Sequence, residues 1–267
     1  MKKITILIPT YNRVCSLSVL LTSLCYQEEK NFDIIISDQS TENILLGNIS
    51  LKCSINLLNV KGHEVTVKRN NQKRGMAHQR QFLLDHCETE YALFLDDDLI
   101  LEPYVIKNLL KALEKGDCGF AGAAVIGLSY KNDIRPSEQN IEFWKEEVKP
   151  EYIKPGSVEW NRFVLHNAAN VYHLQERYCR NEIEILRYKV AWIGGCTMYN
   201  TEKLKDCGGF SFWKDLPANH CGEDVLAQLR VMKKYGGCGI LPSGVYHQEL
   251  ETTVPDRRIN APEYLPI

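Results

Sequence analysis

The sequence has ten cysteines but no C-x-x-C pair, so it lacks the ligand spacing on which structural zinc sites depend. No apolar run approaches the roughly 20 residues that span a bilayer. An excess of charge of one sign is also missing. The formal net charge is −2 over 267 residues, with acids and bases spread along the chain, so no basic face is offered to a phosphate backbone and nucleic acid is excluded as a partner. Several cysteines fall in apolar helix or strand patterns, where a free thiol behaves as a small buried hydrophobe. The chain opens directly in a strand without a signal-peptide pattern. A reduced, cytoplasmic protein is expected, with peripheral contact at the inner face of a membrane left open. The length suits one large α/β domain or two small ones.

What is present centres on Tyr91-Ala92-Leu93-Phe94-Leu95-Asp96-Asp97-Asp98. An apolar run of strand length ends in three carboxylates, and a helix led by Pro103 follows. Crowded like charges raise one another's pKa and need a cation or hydrogen bonds to compensate them, and a divalent metal is the simplest such partner. A calcium loop does not fit, because the next ligand positions fall on Ile100 and Glu102 and no glycine stands at the sixth place.

Along the chain, Ile4 to Pro9 reads as a strand covered on both faces, and Leu17, Leu20, Leu21 and Leu24 form the buried stripe of a helix. Asp33 to Ser37 predicts a second strand. Residues 42 to 62 lack a clean period and are read as a short helix and a weak strand. Val65 and Val67 mark another strand, followed by a helix from Gly75 to His86. After the triple acid, Ile106, Leu109, Leu110 and Leu113 repeat the helical stripe up to Gly116. This alternation predicts a largely parallel sheet with right-handed crossovers, whose ligands bind beyond the carboxyl ends of the strands. Four polar clusters share that rim: Thr10 to Arg13, Asp38 to Thr41, Arg69 to Asn71 and Asp96 to Asp98. One such cluster is an ordinary loop; four at equivalent places suit a nucleotide-type site.

From 127 to 187 prolines interrupt the pattern and aromatics are frequent. These residues suit either a sugar-binding groove or the core of an irregular lobe. Val190 to Ile193 reads as a strand, Gly194-Gly195 as a close backbone approach, and Glu223-Asp224 as two acids in the first turn of a helix whose dipole favours their ionised forms. Val245-Tyr246-His247 ends a further strand. The tail from Thr252 to Ile267 has no helix or strand signal, and reads as a flap over the site or a loose terminus.

These segments resemble the family 2 glycosyltransferases. The resemblance rests on IPTYNR at the first strand end, SDQST, FLDDD with its proline-led helix, GGF and GEDVLAQLR. It implies an α/β GT-A fold, a mostly parallel sheet with helices on both faces and an elaborated C-terminal half. As a single domain over 1–267 it would divide into a nucleotide-binding half (1–126), an acceptor-binding half (127–247) and a tail (248–267). It further implies an inverting transferase that takes a nucleoside-diphosphate sugar, a UDP-sugar favoured, to a carbohydrate or lipid-linked acceptor in polysaccharide or glycoconjugate assembly. The implied nucleotide-binding residues are Pro9, Thr10, Tyr11, Arg13, Asp38, Arg69, Asn70, Arg80, Asp96 and Asp97. Asp98, Asp96 and His247 are implied as ligands of a divalent metal, Mn²⁺ or Mg²⁺, and Trp192, Gly194, Gly195 and Glu223 as the sugar or acceptor contacts. Asp224 is implied as the catalytic base, with Glu223 in reserve.

Ser37 and Gln39 depart from the usual acidic turn, which leaves the nucleotide base open. The physical requirements agree with these roles: a hard cation stabilises a diphosphate leaving group, Mn²⁺ accepts a histidine more readily than Mg²⁺, and the attacking hydroxyl needs one carboxylate to take its proton. His247 also fits a hydrogen-bonded structural role. Two other functions share these features, a sugar nucleotidyltransferase and a non-catalytic nucleotide-sugar-binding module. The first usually has a glycine-rich basic loop where this chain has Thr10-Tyr11-Asn12-Arg13.

Overall fold

The computed structural model describes residues 2–42, 47–72, 74–179 and 184–267. Its first half alternates as read: β1 (Ile4–Thr10), α1 (Val14–Leu24), β2 (Phe32–Asp38), α2 (Ile49–Val60), β3 (Val65–Arg69), α3 (Met76–Asp85) and β4 (Tyr91–Leu95). Then come β5 (Leu99–Leu101), α4 (Val105–Gly116) and β6 (Phe120–Gly122). After a stretch of short 3-10 turns follow α5 (Asn170–Tyr178), β7 (Leu186–Tyr188), β8 (Cys196–Asn200), α6 (Thr201–Asp206), α7 (Glu223–Tyr235), β9 (Gly237–Leu241), β10 (Val245–His247) and α8 (Ala261–Tyr264).

Eight strands form one sheet in the order β3-β2-β1-β4-β8-β6-β9-β7, and β10 pairs with β5 in a separate ribbon. The pairs β3-β2, β2-β1, β1-β4 and β6-β9 are parallel; β8 and β7 run against their neighbours. Strands from both halves of the chain share this sheet, with β6 inserted between β8 and β9. The fold is therefore α/β with a mostly parallel sheet and helices on both faces.

The period of two explains the layers. Along β1, Ile4, Ile6 and Ile8 point into one core with Leu17, Leu20 and Leu21 of α1 and Leu109 of α4, while Leu7 points into the other with Leu83 and Leu84 of α3 and Leu226 and Leu229 of α7. In β4 the split repeats, with Leu93 and Leu95 on the first side and Ala92 and Phe94 on the second. All of β1 and β4 is buried, which is why neither shows an alternating pattern in the sequence.

Four readings change. Within 42–62 the described residues hold one helix and no strand; Asn48 caps it by accepting from the Leu51 amide at 3.0 Å, and Leu45 and Leu46 lie outside the described residues. A three-residue strand, β5, precedes α4, and the helix begins at Val105, two residues beyond Pro103. Val190–Ile193 is not a strand. The side chain of Gln228 takes both the amide (2.8 Å) and the carbonyl (2.7 Å) of Ile193, so no neighbouring strand pairs there, and the ladder starts at Cys196. The tail is also not loose. Cys221 exchanges main-chain bonds with Ile259 and Ala261, α8 follows, and Arg230 and Lys233 hold the carbonyls of Pro266 and Ile267.

Candidate active site

The carboxyl ends of β1, β2, β3 and β4 bring the predicted polar clusters onto one rim. Each acid there meets an arginine: Arg69 for Asp38, Arg80 for Asp96, and Arg13 shared by Asp97 and Asp98. At the β2–β3 end, Arg69 Nη1 donates to Asp38 Oδ2 at 2.7 Å, while Asp38 Oδ1 accepts the Ser40 amide at 2.8 Å. Asn70 joins them through its amide, which donates to the Asp38 carbonyl at 2.9 Å. Its side-chain Nδ2 is buried and has no hydrogen-bond partner among the described residues. A buried donor without a partner costs free energy in the ligand-free state and is satisfied by an incoming acceptor. Pro9 sits within β1 opposite Ser37, and Tyr11 is exposed at the rim.

At the end of β4 the three acids separate. Asp97 turns inward and accepts from Thr10 Oγ1 at 2.6 Å; burial pushes its carboxyl up to about 6, against the Thr10 hydrogen bond and the Arg13 charge. Asp98 Oδ2 takes both Arg13 Nη1 at 2.6 Å and His247 Nε2 at 3.2 Å. Burial works against the charge on Asp98, but the hydrogen bonds from His247 and Arg13 and the charge of Arg13 outweigh it and hold the carboxyl below its usual range. The same contact raises His247. Asp96 points the other way, to Arg80 Nη2 at 2.9 Å, with 39 % of its side chain exposed.

Arg80 joins the two halves of the site. From α3 it reaches Asp96 with Nη2 and Glu223, in the first turn of α7, with Nε at 3.0 Å. Burial opposes its charge, but Asp96, Glu223 and Asp224 outweigh burial and keep the guanidinium firmly protonated. Glu223 is thereby ion-paired. Among the described residues Asp224 has no such partner: its Oδ1 accepts the adjacent Val225 amide at 2.9 Å. It keeps partial solvent exposure while protein crowds around it, and this burial, with the charge of Glu223, lifts its carboxyl to about 7 against the pull of Arg80.

Gly194 and Gly195 run between the two acid groups. The Asp96 amide donates to the Gly195 carbonyl at 2.9 Å. Gly195 has a φ of +79°, and a Cβ there would stand 2.8 Å from Val125 and 3.4 Å from Asp96 Oδ2. A Cβ on Gly194 would lie 3.8 Å from Asp224 Oδ2, so the strip passes beside the candidate base. Trp192, two residues earlier, stacks on Phe163 at 5.2 Å and tilts against Trp160 at 4.4 Å.

Residues 5–175 match the family model for Glycosyl transferase family 2, more than half of the chain. The chain belongs to this family. A curated relative, an uncharacterized glycosyltransferase of Haemophilus influenzae, is 30% identical over 112 residues, which are 42% of this chain and 35% of that protein. Among solved structures, the S. aureus TarS fragment 1–349 in complex with UDP-GlcNAc has a TM-score of 0.56 at 18% identity, covering 95% of this chain and 60% of that one. The mannosyltransferase PcManGT from Pyrobaculum calidifontis, in complex with GDP-Man and Mn²⁺, has a TM-score of 0.59 at 14% identity, covering 94% and 58%. At these identities the structures support the fold, and the chain spans less than two thirds of each of these relatives.

For this family 2 chain the metal expectation meets the geometry only in part. Among the described residues, no three His, Cys, Asp or Glu side chains gather as a metal shell. Asp98 and His247 are together, whereas Asp96, predicted to join them, is turned to Arg80. One carboxylate and one imidazole still form a donor set that a divalent cation completes with phosphate oxygens and water. Reading the sequence missed three residues that hold the site. Gln79 of α3 ties the carbonyls of Thr10 (3.2 Å) and Ser37 (2.7 Å). His220 accepts the Ala77 amide at 3.1 Å, at the start of the helix that carries Arg80. Gln228 pins Ile193 one turn behind Asp224. Gln79 and Gln228 are polar residues on helices, where such side chains normally face water, and His220 lies in the loop before α7, so nothing in their spacing marked them.

Proposed function

We propose that this protein is a metal-dependent, inverting glycosyltransferase that moves a sugar from a nucleoside-diphosphate donor, a UDP-sugar favoured, to an acceptor hydroxyl in polysaccharide or glycoconjugate assembly. The observation that carries this reading is the asymmetry of Glu223 and Asp224: adjacent carboxylates, one ion-paired with Arg80 and one lifted to about 7. A base near neutrality is what proton removal from a sugar hydroxyl requires, and two acids with environments that separate them divide the work.

In this scheme Asp38, Arg69 and Asn70 take the nucleoside, with Thr10 and Asp97 supporting that end of β1 and β4. Asp98 and His247 are the ligands offered to a divalent cation, which when bound supplies charge stabilisation for the departing diphosphate. Asp96 and Arg80 fix the donor sugar's edge against the Gly194–Gly195 strip. Asp224 accepts the acceptor's proton at a carboxylate oxygen from the face opposite the leaving group, and a direct displacement from that face inverts the anomeric carbon. Trp192, with Phe163 and Trp160, provides an aromatic face for the acceptor, a carbohydrate or lipid-linked sugar. The bound UDP-GlcNAc and GDP-Man of the structural neighbours support a nucleotide-sugar donor, and the Mn²⁺ of one supports the cation. No described helix is long and apolar enough to cross a membrane.

The test is nucleoside-diphosphate release from a panel of UDP- and GDP-sugars, with Mn²⁺, with Mg²⁺ and with chelator. Release that requires the cation and is lost in Asp98→Asn is expected. Turnover retained by that variant contradicts the metal assignment.

A further inference from the structure

Arg13 occupies the neighbourhood that a cation at Asp98 would need. Its Nη1 lies 2.6 Å from Asp98 Oδ2 and 3.2 Å from Asp97 Oδ1, and its Nη2 donates to the main-chain carbonyl of Glu251. His247 reaches the same Oδ2 with Nε2, at 3.2 Å, while its Nδ1 accepts the Glu249 amide at 2.8 Å. That second bond fixes the tautomer: Nδ1 is the acceptor, so Nε2 carries the proton and donates to Asp98. For Nε2 to offer a lone pair to a metal, the proton must leave it; moving to Nδ1, it displaces the Glu249 amide.

Two independent contacts therefore conflict with a bound cation, and both hold the same segment. Its other anchors lie on either side. Gln248 donates to the Asp98 carbonyl at 2.8 Å, and the Glu249 carboxylate takes the Ser129 amide and hydroxyl at 3.1 and 2.5 Å. Glu249 has a positive φ of 57°, and residues 249–253 are exposed.

We propose that residues 249–251 are a strap latched across the cation site by Arg13 and His247 in the metal-free protein, and that Arg13 holds the cation's place. A divalent cation at Asp98 displaces the guanidinium, removes the acceptor of the Glu249 amide and frees Glu251 from Arg13, so that the strap stays held at Glu249 by Ser129 and loosens beyond it. This rests on Asp98 and His247 being the ligands, as assigned above. Arg13 is in this sense the residue that sets the metal affinity: a charge-assisted contact to a buried carboxylate must be broken before the metal binds.

The test uses the full chain without nucleotide. Mn²⁺ binding is followed by the paramagnetic resonance of free Mn²⁺, and amide hydrogen exchange is followed over residues 247–254, in the wild type, Arg13→Gln, Arg13→Lys and Asp98→Asn. Arg13→Gln is expected to tighten Mn²⁺ binding by about tenfold, the weight of one charged contact. Arg13→Lys, which keeps a charge but not the fork, falls between and serves if the first variant does not fold. Strap exchange is expected to rise several-fold on adding Mn²⁺ to the wild type, and to be already fast in metal-free Arg13→Gln. Unchanged or weaker Mn²⁺ binding in the Arg13 variants, or strap exchange indifferent to saturating Mn²⁺, overturns the latch alone, provided Asp98→Asn loses the metal. If Asp98→Asn binds Mn²⁺ as the wild type does, or no form binds it, the ligand assignment itself fails and the latch falls with it.

Discussion

Arg80 and Glu223 are joined through Nε at 3.0 Å across 143 positions of sequence, both almost fully buried. This pair fastens α3 to the first turn of α7, and it gives one of two adjacent acids a cationic partner. Breaking it by Arg80→Gln leaves a buried carboxylate unpaired, which costs about 3–5 kcal/mol. Denaturant melts should show that loss, and Arg80→Gln/Glu223→Gln should recover most of it. A double variant no more stable than Arg80→Gln would contradict a specific pair.

The elevated carboxyl of Asp224 predicts a pH profile. Below about 7 the group holds its proton and cannot accept another, so kcat/KM rises with pH and levels off above an inflection near 7. Removing Glu223's charge by Glu223→Gln should move that inflection down, because Glu223 is a cause of the rise. A profile flat from pH 5.5 to 8.5 would exclude Asp224 as the titrating base.

Stability should follow the same group with the opposite sense. Between the unfolded value near 4 and the folded value near 7, the native protein holds a proton that the unfolded chain has released, so stability falls as pH rises through that window. Asp224→Asn in chelator should raise the melting temperature at pH 8 by roughly 2–4 °C for each kcal/mol relieved, and the gain should vanish near pH 4. An equal effect at both pH values would mean that ionisation is not its origin.

Asn70→Ala removes a buried donor that has no hydrogen-bond partner among the described residues. Its cost to stability should be under about 1 kcal/mol, whereas nucleotide affinity should fall by about tenfold, because the donor is satisfied only by a ligand. Calorimetric titration with UDP and GDP beside a thermal melt separates the two. A large stability loss with unchanged affinity would place Asn70 in the scaffold.

Much of the frame was legible because its signals are local. Continuous apolar runs at Ile4–Pro9 and Tyr91–Leu95, a helical stripe at Leu17–Leu24 and an acidic pair opening α7 each follow from neighbours a few residues apart. Val190–Ile193 was misread because it has strand composition while its backbone at Ile193 is satisfied by the side chain of Gln228; over 42–62 the expected short helix is present, capped by Asn48, and the expected weak strand is absent among the described residues. The least legible feature was the partnering of the acids. Asp96-Asp97-Asp98 looks like one cluster in need of one cation, whereas Arg80 takes Asp96, Thr10 and Arg13 take Asp97, and Arg13 with His247 takes Asp98. Those partners come from β1, its following turn, α3 and β10, and only the assembled sheet brings them together.

The central claim is that Asp224 accepts the proton while other residues hold the donor. The most direct measurement compares wild type and Asp224→Asn at pH 8, reading transfer rate and nucleoside-diphosphate affinity on the same preparations. The account predicts a fall in kcat of about a hundredfold to ten-thousandfold, with affinity unchanged within twofold. Transfer within tenfold of the wild type would contradict it.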